Sequence, residues 1–205
     1  MTRKWLRERR KDYYYRMAKK ENYRSRAAYK LLYIQNKYRI IKNGDVVIDL
    51  GCAPGGWLQV ARELVGASGK VFGVDLEEIE PIEGVFFIRG NFLKIEIKER
   101  IRKAIFENAN RENVDVVLSD MSPNISGNYS TDHARSVELV TSAFEFASTM
   151  LVPDGNFVAK VFQGDLYNEL LSKLEKKFCF VKGYKSEASR KSSSEIYVIC
   201  KGFQS

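Results

Sequence analysis

V-V-I-D-L-G-C-A-P-G-G-W, residues 46–57, is the stretch whose reading decides the fold. The β-branched run Val46-Val47-Ile48 reads as a buried strand, and Asp49 closes it. Three glycines follow, Gly51, Gly55 and Gly56, where a strand would turn into a helix. Glycine reaches positive φ and lets backbone approach a neighbour with no Cβ between them. Pro54 fixes φ and lacks an N–H, which suits a rigid turn or a first helical position. In an open α/β sheet this first turn faces the ligand crevice at the carboxyl ends of the strands.

Working outward, β-rich runs occur at 45–50, 70–75, 84–89, 114–119, 155–162, 178–184 and 195–201. Helical patterns lie between most of them, at 57–66, 95–109, 133–151 and 166–176. A further helix is expected over 24–41, with Ser25 as its N-cap. This alternation predicts a doubly wound, Rossmann-like α/β fold: a seven-stranded, mostly parallel sheet with helices on both faces. No helical pattern separates the last two strands, so one of them is expected to run antiparallel at an edge. The chain has 205 residues and reads as a single domain over 24–205 behind a basic aromatic extension, 1–23, ordered by a partner.

Charge is concentrated at one end. Residues 1–42 hold 15 Lys and Arg against three acids, while the whole chain carries +8, so the remainder is net negative. Trp5, Tyr13, Tyr14, Tyr15, Tyr23, Tyr29, Tyr33 and Tyr38 are interleaved with those cations. Cations release counterions from phosphates and rings stack on bases, so this end suits a nucleic acid; a solvated basic tail is the plain alternative. Three cysteines without C-x-x-C spacing indicate neither zinc nor a disulfide framework, and the only histidine is His133. With no long apolar stretch and no secretory signal, a cytoplasmic protein is expected.

The glycine spacing is not that of a dinucleotide loop. Asp75 closes the next strand, 19 residues after Gly56, about where an acid would hold a ribose diol. Together these point to a nucleoside ligand without a diphosphate, S-adenosylmethionine above all. Taken alone, Asp75 reads equally well as a turn residue, Trp57 as a core anchor and Asn91 as part of a turn.

Five segments in order carry a resemblance: Arg24–Leu31, Asp49–Trp57, Ser119–Gly127, Phe157–Gly164 and Ser194–Tyr197. They resemble the RrmJ/FtsJ-type RNA ribose 2′-O-methyltransferases over about residues 22–202, nearly the whole chain. The resemblance implies that Gly55 and Trp57 line the methionine end of S-adenosylmethionine. Asp75 would take its ribose or adenosine edge, and Asp120 would lie between cofactor and chemistry. Where the family usually has an Asp, this chain has Asn91, whose amide both donates and accepts.

The resemblance also implies a catalytic set of Lys30, Asp120, Lys160 and Glu195. Lys160 stands out unaided, as a lysine inside the apolar run Phe157–Phe162, where a structural ion pair with Glu195 is the simpler reading. A ribose hydroxyl is a weak nucleophile until its proton leaves, so an acceptor must be aligned with it. Lys160 is the expected acceptor, oriented by Asp120, while Lys30 and Glu195 position the hydroxyl. These four groups would titrate as one coupled set.

Cytosine-5 methylation needs a cysteine nucleophile, and Met121-Ser122-Pro123 offers none after Asp120. An [DN]-P-P-[FY] loop for amino-group methylation is also absent. The resemblance favours a uridine of large-subunit ribosomal RNA, methylated by a monomer, with the tRNA anticodon loop as alternative substrate. A catalytically inactive RNA-binding assembly factor is the alternative of a different class.

Overall fold

Val46 to Leu50 are all buried, as expected for a strand covered on both faces. The computed structural model describes residues 12–190 and 193–204. Its elements are α1 (Tyr13–Lys20), α2 (Ala27–Tyr38), β1 (Val46–Leu50), α3 (Gly56–Val65), β2 (Lys70–Asp75) and β3 (Val85–Arg89). There follow α4 (Ile95–Ala109), β4 (Val114–Ser119), α5 (Tyr129–Ser148), β5 (Leu151–Phe162), α6 (Tyr167–Glu175), β6 (Phe178–Tyr184) and β7 (Glu195–Phe203). No helix among the described residues is long and apolar enough to cross a membrane.

The seven strands form one sheet in the order β3-β2-β1-β4-β5-β7-β6. The pairings from β3 across to β5 are parallel. β7 runs antiparallel to both of its neighbours, one place in from the edge strand β6. Strand residues alternate between the faces. Ile48, Phe157, Ala159 and Val161 pack beneath α4, α5 and α6, while Val47, Val158, Tyr197 and Ile199 pack beneath α2 and α3. The same alternation turns Asp49 and Lys160 toward the α2/α3 face.

Local chemistry moves several boundaries. Arg26, not Ser25, precedes α2, with no side-chain cap, and the Ser25 hydroxyl is buried without a partner. The contact with α3 explains it: a Cβ on Gly56 would lie 2.4 Å from Ser25 Oγ, so Ser25 fills the gap that the glycine leaves. α5 starts a turn before residue 133, because Asn128 caps it by accepting the Thr131 N–H at 3.1 Å. β5 begins at Leu151, which pairs with Val114 before the register shifts. Part of the extension expected to await a partner forms α1, capped by Asp12. Ala18 of α1 packs with Tyr29 and Ala188, fastening α1 to α2 and to the segment after β6. Residues 1–11 lie outside the described residues.

Candidate active site

β1 delivers the glycine loop to the carboxyl end of the sheet. Gly51 has φ +73°, and a Cβ there would sit 2.1 Å from Met121 Cγ. The glycines thus let the loop pack against the segment after β4 and against the start of α2. Gly55 is the left-handed residue before α3, and its N–H donates to the Cys52 carbonyl at 2.7 Å. Pro54 follows a cis peptide and lies outside the helix, whose first residue is Gly56.

Two cavities share Gly51, Ala53 and Asp120. The larger, about 440 Å³, is also lined by Asp75, Asn91 and Met121. Asp75 accepts the Ala53 N–H at 2.8 Å through Oδ2 and the Glu77 N–H at 2.9 Å through Oδ1, which fixes its carboxylate at the rim. Asn91 Oδ1 accepts the Leu93 N–H at 3.0 Å, while its Nδ2 has no protein partner among the described residues. The smaller cavity, about 200 Å³, is lined by Asp49, Gly56 and Trp57 as well. Trp57 is only 2% exposed. Its Nε1–H donates to the Ala27 carbonyl at 2.8 Å, so the indole is a core anchor with one edge on the cavity. Gly55 lines neither of these two cavities.

Asp49 is fully buried, and both of its carboxylate oxygens lack a partner. Burial pushes this acid well above the usual carboxylate range, and the charges of Asp120 and Asp75 add to the effect. The folded state therefore holds a proton that the unfolded state releases near pH 4, so Asp49 lowers stability progressively as pH rises above that value. Asp49→Asn should remove this dependence. Its melting temperature relative to the parent should climb between pH 5 and pH 8, by about 3 °C or more, since one pKa unit is worth ~1.4 kcal/mol. Calorimetry at the two pH values checks it, and a constant difference would contradict the assignment.

The second cluster lies across Asp120. Lys160 on β5 faces Tyr197 on β7 in the strand register. Its Nζ donates to the Asp120 carbonyl at 2.8 Å and stands 3.2 Å from Asp120 Oδ1. The Tyr197 hydroxyl lies 2.7 Å from that same Oδ1 and 3.2 Å from Glu195 Oε1. Glu195 Oε1 is also met by Lys30 Nζ at 2.6 Å and by the Ser189 hydroxyl at 2.9 Å. The expected four residues are thus brought into one chain, Lys160–Asp120–Tyr197–Glu195–Lys30. Burial pushes Asp120 up, but Lys160, Lys30 and the Tyr197 hydroxyl together hold it below the ordinary carboxylate range. Tyr197 is held well above its ordinary value by burial and by both carboxylates, so it remains a phenol that donates. His133 lies outside this chain; its ring nitrogens meet the Phe162 carbonyl at 2.8 Å and the Leu166 N–H at 3.0 Å.

Three participants escaped the sequence reading: Asp49, Tyr197 and Ser189. Asp49 carried the signal that exposed Lys160, a charge inside a buried strand. Tyr197 looked like an ordinary aromatic strand residue, and only pairing with β5 reveals its role. Ser189 sits in a serine-rich loop with nothing to single it out.

A loop of this build beside a lysine–carboxylate chain meets a matching family description. The model of the FtsJ-like methyltransferases matches residues 23–203. The chain belongs to that family. Among relatives, the ribosomal RNA large subunit methyltransferase E of Methanosarcina acetivorans is 55% identical over 194 residues, 95% of this chain and 69% of that one. The protein of the same name from Methanocaldococcus jannaschii is 49% identical over 203 residues, 98% of this chain and 82% of that one. A candidate ribosomal RNA methyltransferase of Plasmodium falciparum has a crystal structure that superposes with a TM-score of 0.79 at 34% identity, covering 88% of this chain and 98% of that one. FtsJ-like membership makes the protein an enzyme of methyl transfer, built on the Rossmann-like sheet expected from its sequence.

Proposed function

We propose that this FtsJ-like enzyme moves a methyl group from S-adenosylmethionine to a ribose 2′-oxygen in large-subunit ribosomal RNA, at a uridine. It would act as a cytoplasmic monomer. The observation that carries the chemistry is the single residue Asp120, which borders both cavities and also anchors Lys160.

The residues present fit the cofactor. The larger cavity is of ligand size and offers apolar wall from Val74, Phe92 and Met121 for a purine. The Asn91 amide would meet the adenine edge, and the carboxylate of Asp75 keeps lone pairs for ribose hydroxyls. The smaller cavity offers the orphaned carboxyl of Asp49, which would give up its proton on pairing with the ammonium of a methionine moiety, beside Trp57 and Gly56. When bound, S-adenosylmethionine supplies a methyl group already activated on sulfonium.

This chain's own residues must then position a hydroxyl and take its proton. A neutral lysine amine has two N–H donors and one lone pair. Lys160 acts on Asp120 as a cation; once it has given up a proton, its two contacts to Asp120 would occupy both remaining donors and leave the lone pair for the ribose hydroxyl. Tyr197 has one proton to give, and the shorter contact directs it to Asp120. Lys30 balances Glu195, so the pair fixes the far end of the chain without adding net charge.

Tyr197→Phe should therefore lower kcat about 10- to 100-fold and leave cofactor affinity within about threefold, because it removes an alignment rather than a ligand. Stopped-time methyl transfer and equilibrium cofactor titration separate the two, and an unchanged kcat would detach Tyr197 from the mechanism.

The function is tested with tritium-labelled methyl donor, offered with large ribosomal subunits, their naked RNA and tRNA. Alkali leaves the linkage after a 2′-O-methyl group intact. Label in resistant dinucleotides from ribosomal RNA is the expected result. Label only in mononucleotides would mean base methylation, label in tRNA the other substrate, and no label a binding role alone.

A further inference from the structure

A third cavity, about 490 Å³, opens where the end of α2 meets the β6 edge, away from the glycine loop. Lys37, Arg39, Lys42 and Lys201 line it, against one acid, Asp154. Among the described residues none of these four side-chain cations has a carboxylate within ion-pair distance, although the Asp45 carboxylate accepts the Lys42 backbone N–H at 2.8 Å and its charge acts on Lys42. Lys37, Arg39 and Lys42 are exposed. Two rings, Tyr38 and Phe180, stand in the same wall with centroids 6.2 Å apart, and Phe180 is 40% exposed.

This cleft is joined to the catalytic chain. Lys30 and Lys37 are seven residues apart on α2, hence on one helix face, about 10 Å apart along the axis. Lys30 Nζ lies 5.6 Å from the centre of the Tyr197 ring. Tyr197 pairs with Tyr184 in the β6–β7 register. Lys37 Nζ then lies 4.9 Å from the Tyr184 ring and 5.6 Å from the Tyr38 ring. Lys201 closes the row with its Nζ on the Tyr38 carbonyl at 2.9 Å, four residues along β7 from Tyr197, about 13 Å. Cations and rings thus alternate from the methyl-transfer site to the far cleft.

We propose that this row is a track for RNA: a strand flanking the methylated ribose runs along α2 and the β6 edge. Its phosphates meet Lys37, Arg39 and Lys42, and a base stacks on Phe180. The inference rests on the RNA substrate proposed above and extends it to a surface outside the catalytic chain. Several cations held free of acids suit a polyanion, and a half-exposed ring among them suits an unstacked base. A protein partner would have less use for a lysine-rich wall, since lysine is depleted at protein interfaces.

The test is the triple variant Lys37→Gln, Arg39→Gln, Lys42→Gln, with Lys98→Gln, Arg102→Gln, Lys103→Gln on α4 as a control of equal charge loss. RNA binding is measured by anisotropy with fluorescent large-subunit RNA fragments across a salt series, beside methyl transfer and cofactor titration. The expected result is RNA affinity lower by about 10- to 100-fold at 0.1 M salt and a salt slope smaller by about 2, since each phosphate contact contributes ~0.7 on a single strand. KM for RNA should rise with kcat and cofactor affinity unchanged, and the control should stay near the parent. Phe180→Ala should weaken binding with the slope preserved. Equal losses in both triple variants would reduce the track to net charge and overturn it. A defect seen only with assembled subunits would put a protein on this surface and overturn it too. A parent protein that binds and methylates no RNA would instead fail the function on which the track rests.

Discussion

Lys160→Met is expected to lower kcat by about 10²- to 10⁴-fold, the range spanned by loss of a positioned general base. Methionine keeps the length and apolar stem, so the strand partner Tyr197 retains its packing. The loss falls on the proton acceptor and on the cation beside Asp120. Cofactor affinity should stay within about threefold, because Lys160 lines neither of the two cofactor cavities. Without an acceptor the residual reaction depends on hydroxide, so its rate should rise about tenfold per pH unit. Stability gives an independent readout. Asp120 lies below the usual carboxylate range in the parent, so its contribution is present above its unfolded value near pH 4 and is lost as pH falls through the folded value. Lys160→Met should thus cost melting temperature at pH 7 and progressively less toward pH 3. A variant with full methyl transfer would remove Lys160 from the chemistry.

Gly51→Ala is expected to damage the same enzyme from the other side. The left-handed backbone at φ +73° costs an alanine about 1–2 kcal/mol. The added methyl would overlap Met121 Cγ, so the methionine must leave its rotamer. Met121 is wall of the larger cavity, and its displaced side chain has that cavity to enter. Melting temperature should fall by about 2–8 °C for a chain of this length. Cofactor affinity should fall by about 30-fold or more, a larger proportional loss than stability. Gly51→Ala with parental affinity and only a lower melting point would show that the glycine serves the turn and not the cavity. A double variant with Met121→Ala should recover much of the affinity, because it removes the atom that the methyl strikes.

The sequence disclosed what local chemistry encodes. Val46–Ile48, Lys70–Asp75 and Val114–Ser119 are short stretches rich in valine and other strand-forming residues, and they lie in strands in the structure. Lys160 was legible because a charge in an apolar strand demands a reason. What stayed hidden depends on neighbours distant in the chain. The place of β7 between β5 and β6 is fixed by pairing, which no local pattern records. Ser25 has the chemistry of a cap and is not one, since Gly56 draws it against α3. Tyr197 became visible only with Asp120 and Glu195 on either side of its hydroxyl. Asp49 resembled a strand-ending turn residue, and its meaning lies in the lack of partners around it.

The antiparallel strand has a consequence for how the enzyme comes into being. β7 is the final strand in chain order and lies between two strands made before it. During synthesis β5 and β6 must wait, each with an unsatisfied edge, until residues 195–203 leave the ribosome. That late segment brings Tyr197 and Glu195, without which Lys160 and Lys30 have no link. A nascent chain is thus inert until β7 has emerged, and catalytic competence arrives in the same event that seals the sheet.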